Sequence, residues 1–477
     1  MRYDVVIAGA GVIGGMIARE LSKYKLSVCL LEKKRDVSGG ASKANTGIIH
    51  GGYDPVPGTL KAKMNTLGTP KLYEAAKMLN VPFKQNGSMI CAFGKEEEPE
   101  IYNLYERGLI NQTPDMKILT GDEARAIEPA LSEEVTLVLH VPSAGIICPY
   151  KLTIAAVGNA MDNGVDFLRN FEVAHVEKKD GDFIVTNPAG RAVTGRYFLN
   201  CAGCYSDHVA ELAGDCDFKI IPRSGEYLLL DKTQGGTLKH TIFQVPTNEG
   251  KGILVTPTVD GNLMAGPTAL AVASPQNKEN TYAGLQTVIT LSKKSIPGVD
   301  FSQTITNFTG IRSSVKDGDF IIRASEKVEG LVHVAAIDSP GLTSCVAIAE
   351  YVVDILREIG LATEPKADWN GCREDTEFFR HMSDEEKDAY IKEHPEYGKI
   401  VCRCETVTEG EIRDAIRRNP PAVDVDGVKR RTRSGMGRCQ GGFCGPYVME
   451  LIAEESGIPM EDITKKGYDS VMVKGRL

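Results

Sequence analysis

The sequence predicts an α/β domain of the βαβ type with an antiparallel sheet inserted in it (α+β), followed by a small helical domain that carries clustered thiols. Three observations predict this. An apolar strand, Tyr3 to Ala8, runs into Gly9-Ala10-Gly11-Val12-Ile13-Gly14, a helical stretch follows, and a second apolar run from Ser27 to Leu31 ends at Glu32. Short alternating runs separated by turn residues fill 165–200 and 218–330. Near the C-terminus Cys402 and Cys404 form C-x-C, and Cys439 and Cys444 form C-x4-C.

Strand, glycine turn, helix, strand and acid in that order make a dinucleotide-binding unit. The glycines allow a tight turn, and amides at the helix start can approach a pyrophosphate. Glu32 is placed to accept hydrogen bonds from ribose hydroxyls, which favours FAD or NAD over NADP. Residues 69–131 read as helical and mixed. In 165–200, Asp180-Gly181 is a hairpin turn. The runs EYLLLD, GILVTP, GNLMAG and FIIRAS predict the inserted sheet, LVHVAAI returns as a buried strand, and an apolar helix follows Ser339-Pro340-Gly341. Residues 361–398 read as a linker with one helix, begun by a Ser383/Glu386 capping box.

With 477 residues the chain can bury a core across two or three domains. Its net charge of −9 argues against general nucleic-acid binding. No apolar run reaches a membrane span of roughly 20 residues, and the N-terminal run is broken by glycines, unlike a signal peptide. Twelve scattered cysteines without such a signal point to a reducing cytoplasm with free thiols and metal ligands. Peripheral docking on a membrane stays compatible with this.

A second small-residue stretch, Gly39 to Gly52, contains Ser42, Thr46, Gly47, Ile49 and His50. Glycines there permit close approach to a flat ring. ANTGIIHGGYDPVPGTLKAKMNTLG resembles the flavin-contact segment of the D-amino-acid-oxidase-like FAD superfamily, and within it the FAD-dependent glycerol-3-phosphate oxidases and dehydrogenases; it is also close to L-2-hydroxyglutarate oxidases. The likeness continues through Cys201-Ala202-Gly203, Arg223 to Tyr227, Gly250-Lys251-Gly252, Gly266-Pro267-Thr268, Gly310-Ile311-Arg312 and Ser339 to Thr343. It implies an FAD-binding Rossmann-like domain over 1–360, capped by a substrate sheet from about 80–140 and 218–330. The contacts it implies for the flavin are Gly9, Gly11, Gly14, Glu32, Ser42, Thr46, Gly47, Ile49, Ala202, Gly203, Gly341, Leu342 and Thr343. The helix starting at Gly341 would turn its positive end to the flavin's pyrimidine edge.

His50 is read as the general base that takes a hydroxyl proton while hydride leaves the adjacent carbon, because an imidazole titrates near working pH; the resemblance implies the same role. The other seven histidines are read as structural. The resemblance puts Arg312 at the substrate, where a guanidinium can hold phosphate or carboxylate. Lys251 is a second candidate cation, or a solvent-facing loop lysine, and Arg223 and Tyr227 are candidate pocket residues. A base with a cationic clamp predicts a small anionic secondary alcohol, either glycerol-3-phosphate or a 2-hydroxy acid.

The four terminal cysteines depart from zinc-ribbon spacing and resemble the bacterioferritin-associated-ferredoxin-like [2Fe-2S] domain, here 399–477, in which all four thiolates ligate iron. Structural zinc is the alternative. Gly441, Gly442 and Gly445 would keep amides near the sulfurs. Arg403, Lys429, Arg430, Arg431, Arg433 and Arg438 would offset cluster charge, form a docking patch for an acidic carrier, or be a solvated face. The remaining cysteines, Cys201, Cys204 and Cys345 among them, are read as small core residues. Together these readings describe an FAD-dependent dehydrogenase that oxidises glycerol-3-phosphate and sends electrons through a [2Fe-2S] cluster to a partner protein or quinone-linked subunit, as a monomer or an oligomer. The oxidases it resembles lack the terminal domain, and that departure puts peroxide formation in doubt. Alternatives are a 2-hydroxy or amino acid dehydrogenase, and a flavin/iron–sulfur redox-sensing or electron-transfer subunit without turnover.

Overall fold

The computed structural model describes residues 2–246, 252–316, 318–468 and 470–475. Lys251 therefore lies outside the described residues.

The first sheet is built on the strand Arg2–Ala8, which pairs in parallel with Val28–Leu31 on one side and Ala192–Asn200 on the other. Val5, Val6 and Ile7 are fully buried, as a strand covered on both faces requires. Ala192–Asn200 is long enough to serve two partners. Its first half pairs antiparallel with Asp182–Thr186, and its last residues pair in parallel with Leu331–Ala335. The Asp180-Gly181 hairpin is present, with both residues at positive φ. Helices Val12–Leu21, Leu60–Met78, Pro149–Asp162 and Gly341–Glu358 supply most of the surrounding core. Leu60–Met78 and Gly341–Glu358 touch closely at Gly68, where a Cβ would stand 2.5 Å from the Thr343 carbonyl oxygen. Only glycine fits that contact.

Among the described residues the inserted sheet has nine strands. Ile221–Leu230 and Thr304–Ser314 pair antiparallel along their length, placing Arg223 opposite Arg312 and Tyr227 opposite Phe308. Two expectations are corrected. Thr241–Gln244 runs parallel to Ser88–Ala92, so the sheet is not wholly antiparallel. Ile321–Ala324, from the run FIIRAS, pairs with Leu331–Ala335 in the first sheet and does not belong to the cap.

Residues 361–398 are more ordered than a simple linker. Trp369 Nε1 donates to Ser22 Oγ at 3.1 Å, and Arg19 Nη2 to the Gly371 carbonyl at 2.9 Å. Two helices follow, Phe378–His381 and Asp384–Glu393, the second with the expected capping box. Phe378, Phe379, Tyr390 and Tyr397 then pack edge-to-face and tilted into an aromatic cluster. The terminal module packs Glu409–Arg417, Val425–Thr432 and Gly445–Ser456 around Ile412, Val428, Val448 and Ile452.

Ion pairs, buried except at Arg438, fasten this module to the rest. Asp36, just after Glu32, accepts from Arg430 Nη2 at 2.6 Å and from both terminal nitrogens of Arg431 at 2.8 Å. Arg433 donates to Glu405 and Asp260, both at 2.7 Å, and to Asn262 at 3.0 Å. It does so from a left-handed backbone (φ 70°), a conformation that persists when surrounding contacts over-determine it. Arg438 holds Asp231 at 2.7 Å. Among the described residues no helix is long and apolar enough to cross a membrane.

Candidate active site

A single cavity of about 1420 Å³ runs from the glycine turn, under the inserted sheet, to the terminal module. One small ligand typically occupies roughly 300–1,000 Å³, so the space suits a dinucleotide with a substrate beside it.

Missing side chains shape its nucleotide end. Gly9 sits at φ +109°, and a Cβ there would lie 2.5 Å from the Cys201 carbonyl oxygen; at Gly14 it would lie 2.0 Å from the Gly9 oxygen. Gly11 precedes the helix with no side-chain cap, and the Val12 amide donates to Ser42 Oγ at 2.9 Å. Glu32 accepts from the Ala10 and Lys34 amides at 3.0 and 2.9 Å. Burial raises its pKa, with those two bonds opposing. Each oxygen keeps a second lone pair for a ligand hydroxyl. Gly9, Gly11, Glu32, Ser42, Thr46, Ala202, Gly203, Gly341 and Leu342 line the cavity. Gly14, Gly47, Ile49 and Thr343 stand behind the wall. Gly47 (φ +67°) lets the chain pass the Ile147 carbonyl, 2.3 Å from where its Cβ would be, and Ile49 is in the core.

Thr343 meets the main chain of His50. Its Oγ1 accepts from the His50 amide at 2.9 Å. The His50 carbonyl accepts from Asn65 Nδ2 at 3.0 Å and Thr69 Oγ1 at 2.7 Å. The ring, 9% exposed, lines the cavity with Nε2 3.3 Å from Ser339 Oγ and its centroid 6.2 Å from that of Phe243. Asn65 and Thr69 were not found from the sequence. Their signal was two buried polar residues at i, i+4 on one helix.

Arg223 and Arg312 stand side by side across paired strands, and both line the cavity. Arg223 Nη2 donates to the Ala269 carbonyl at 3.4 Å. No carboxylate among the described residues pairs with Arg312, whose Nη2 lies 3.3 Å from where a Gly225 Cβ would stand. Burial raises the Tyr227 phenol, and the Arg312 guanidinium opposes that. Neighbouring like charges under a sheet make a site for an anion. Burial pushes the core thiol Cys345 up to about 12, and Cys204, a half-buried residue of the cavity wall, up to about 11.

The four terminal thiols stand as two pairs. Cys404 Sγ lies 3.7 Å from Cys439 Sγ, and Cys402 shares a hydrogen bond with Cys444. That bond draws Cys402 toward the thiolate against burial, helped by the Gly435, Glu405 and Cys404 amides. The Phe443 amide does the same for Cys439, with Gly441 and Gly442. Two bridged irons ask for two pairs of thiolate sulfurs. The thiols therefore fit a [2Fe-2S] cluster. The nearby cations are mostly engaged elsewhere: Arg430, Arg431, Arg433 and Arg438 hold carboxylates, and Lys429 Nζ reaches Gln440 Oε1 at 3.4 Å. Of the six, Arg403 alone is exposed without an ion pair among the described residues.

The sequence profile of FAD dependent oxidoreductases matches residues 4–355. The chain belongs to that family. The profile of the BFD-like [2Fe-2S] binding domain matches residues 400–454. The chain is an FAD-dependent oxidoreductase, and its cofactors are FAD and a [2Fe-2S] cluster. It is 44% identical to a glycerol 3-phosphate dehydrogenase of Caloramator mitchellensis, over 99% of this chain and 98% of that one. A mitochondrial L-2-hydroxyglutarate dehydrogenase of Homo sapiens is 28% identical over 75% of this chain and 89% of its own. The dithionite-reduced, FAD-bound L-alpha-glycerophosphate oxidase of Mycoplasma pneumoniae superposes with a TM-score of 0.75 at 32% identity, covering 78% of this chain and 98% of that one. About a fifth of this chain thus has no counterpart in that oxidase.

Proposed function

We propose that this oxidoreductase converts sn-glycerol-3-phosphate to dihydroxyacetone phosphate and delivers the electrons to a partner protein or quinone-linked subunit through its C-terminal module. The observation that carries this reading is the meeting of a buried histidine and a pair of arginines in one cavity with the nucleotide-binding glycines. Bound FAD supplies the hydride acceptor, and the cluster supplies a one-electron exit. Arg312 and Arg223 hold the phosphate, and Tyr227 flanks it. His50 Nε2 takes the hydroxyl proton. Thr343, Asn65 and Thr69 fix the His50 main chain, so the ring turns about its side-chain bonds only, with Ser339 Oγ as its neighbour.

The kinship with a glycerol 3-phosphate dehydrogenase along nearly the whole chain supports the phosphate reading over a carboxylate one. The exit is supported by the two sides of the thiol loop. Met436 and Gln440 line the cavity, while Cys404 is exposed and Phe443 is 88% exposed. A substrate panel with an artificial electron acceptor under argon tests the reading. Glycerol-3-phosphate should surpass L-2-hydroxyglutarate and amino acids in kcat/KM by about a hundredfold or more. The reverse order would overturn it.

A further inference from the structure

The terminal module brings to the nucleotide end of the cavity a cation that its own ion pairs do not fully use. Arg430 is 7% exposed and lines the same cavity as Gly9, Gly11 and Glu32. Its Nη2 is anchored on Asp36, but its buried Nε–H meets no acceptor among the described residues. Asp36 also serves Arg431, so one carboxylate faces two guanidinium groups. A buried charged donor without an acceptor is costly and rarely kept without a ligand.

Lys43 lines this end too, closing the turn Ala41–Lys43 that gives Ser42 to the first helical amides. No hydrogen bond or ion pair holds its ammonium among the described residues. Burial, then Arg430, brings Lys43 down to about 8; burial, then Lys278, does the same to Lys34. Two acids share this end: Asp426 pairs with Lys465 and its charge also reaches Lys43, and Asp424, beside Arg430, accepts from the Gly427 amide at 2.6 Å, so four cations face two carboxylates besides Asp36. Cations crowded beside a helix N-terminus call for a polyanion.

We propose that Arg430 of the iron–sulfur module, together with Lys43, binds the diphosphate of FAD, so that the module completes the flavin site. With Nη2 fixed on Asp36, the guanidinium plane is oriented and Nε–H is left for a phosphate oxygen. Cofactor retention then depends on the module as well as on the glycine turn.

The test uses the full-length, iron-loaded protein with its FAD dissociation constant read from flavin fluorescence. Arg430→Gln and Lys43→Gln should each weaken FAD binding about tenfold or more. Arg431→Gln should leave it nearly unchanged, because Arg431 gives Asp36 two bonds but does not line this cavity. Binding of ADP to flavin-stripped, iron-containing protein should fall in parallel, since ADP carries the same diphosphate. Equal weakening by Arg430→Gln and Arg431→Gln would reduce Arg430 to a docking residue and overturn the proposal. So would unchanged FAD and ADP binding in Lys43→Gln, which alone decides the matter should Arg430→Gln shed its iron.

Discussion

In the flavin cavity the walls are main chain held in place by packing: Gly9 against Cys201, Gly14 against Gly9, Gly68 against Thr343. In the thiol loop four sulfurs lie as two pairs, Cys402 and Cys444 buried in the module and Cys404 and Cys439 toward the surface, with Phe443 beside them in solvent. The first region is preformed, so its chemistry depends on close packing. The second depends on its metal, because metal binding and local folding are one process in small thiolate sites. Between them run the ion pairs of Asp36, Asp260 and Asp231, which fix where the second stands relative to the first.

Breaking the preformed region should have the largest effect. Gly14→Ala puts a Cβ 2.0 Å from the Gly9 oxygen, and the backbone must move. The purified variant should contain iron but no FAD, as its visible spectrum would report. His50→Asn tests chemistry without disturbing the wall. Flavin reduction by substrate should slow by about 10²–10⁴-fold, with substrate binding little changed in stopped-flow traces.

Asp36→Asn attacks the joint between the regions. It leaves buried guanidinium groups uncompensated, at a cost of about 3–5 kcal/mol. Hydrogen exchange should quicken in 400–475 and stay slow in Arg2–Ala8. Acid should imitate it. Burial pushes the Asp36 carboxyl up, but Arg431 and Arg430 outweigh that and hold it well below the usual range. A depressed carboxyl contributes fully above its unfolded pKa, about 4, and loses its contribution as pH falls below that value. Exchange protection of the module should therefore be level near neutrality and fall only below about pH 4. Arg312→Gln is the mildest change. Losing one charge-assisted bond of about 1.5–3 kcal/mol should raise KM for glycerol-3-phosphate about tenfold to a hundredfold, with a smaller change in kcat.

What could be read from the sequence was local. The order of strand, glycine turn, helix and acid, the Asp180-Gly181 turn and the Ser383/Glu386 capping box each depend on residues close in the chain. The thiol spacing was legible for the same reason. What was not legible depends on distant partners. Nothing near Asp36 reveals that Arg430 and Arg431 will reach it, so those arginines read as countercharges for a cluster or as a docking patch. The register that sets Arg223 opposite Arg312 comes from a long antiparallel pairing. Thr343 read as a flavin contact, and nothing near it in the chain reveals that its hydroxyl also meets the His50 amide. FIIRAS alternates like a cap strand, but its partner Leu331–Ala335 lies in the first sheet.

The central claim is that electrons enter at the flavin and leave through iron held by Cys402, Cys404, Cys439 and Cys444. Anaerobic titration of the full chain with sn-glycerol-3-phosphate, followed by visible absorbance and electron paramagnetic resonance, tests it most directly. The account predicts bleaching of the flavin bands and, in the same titration, the signal of a reduced [2Fe-2S] cluster. A flavin that bleaches while the cluster stays oxidised, or one that does not bleach at all, would contradict it.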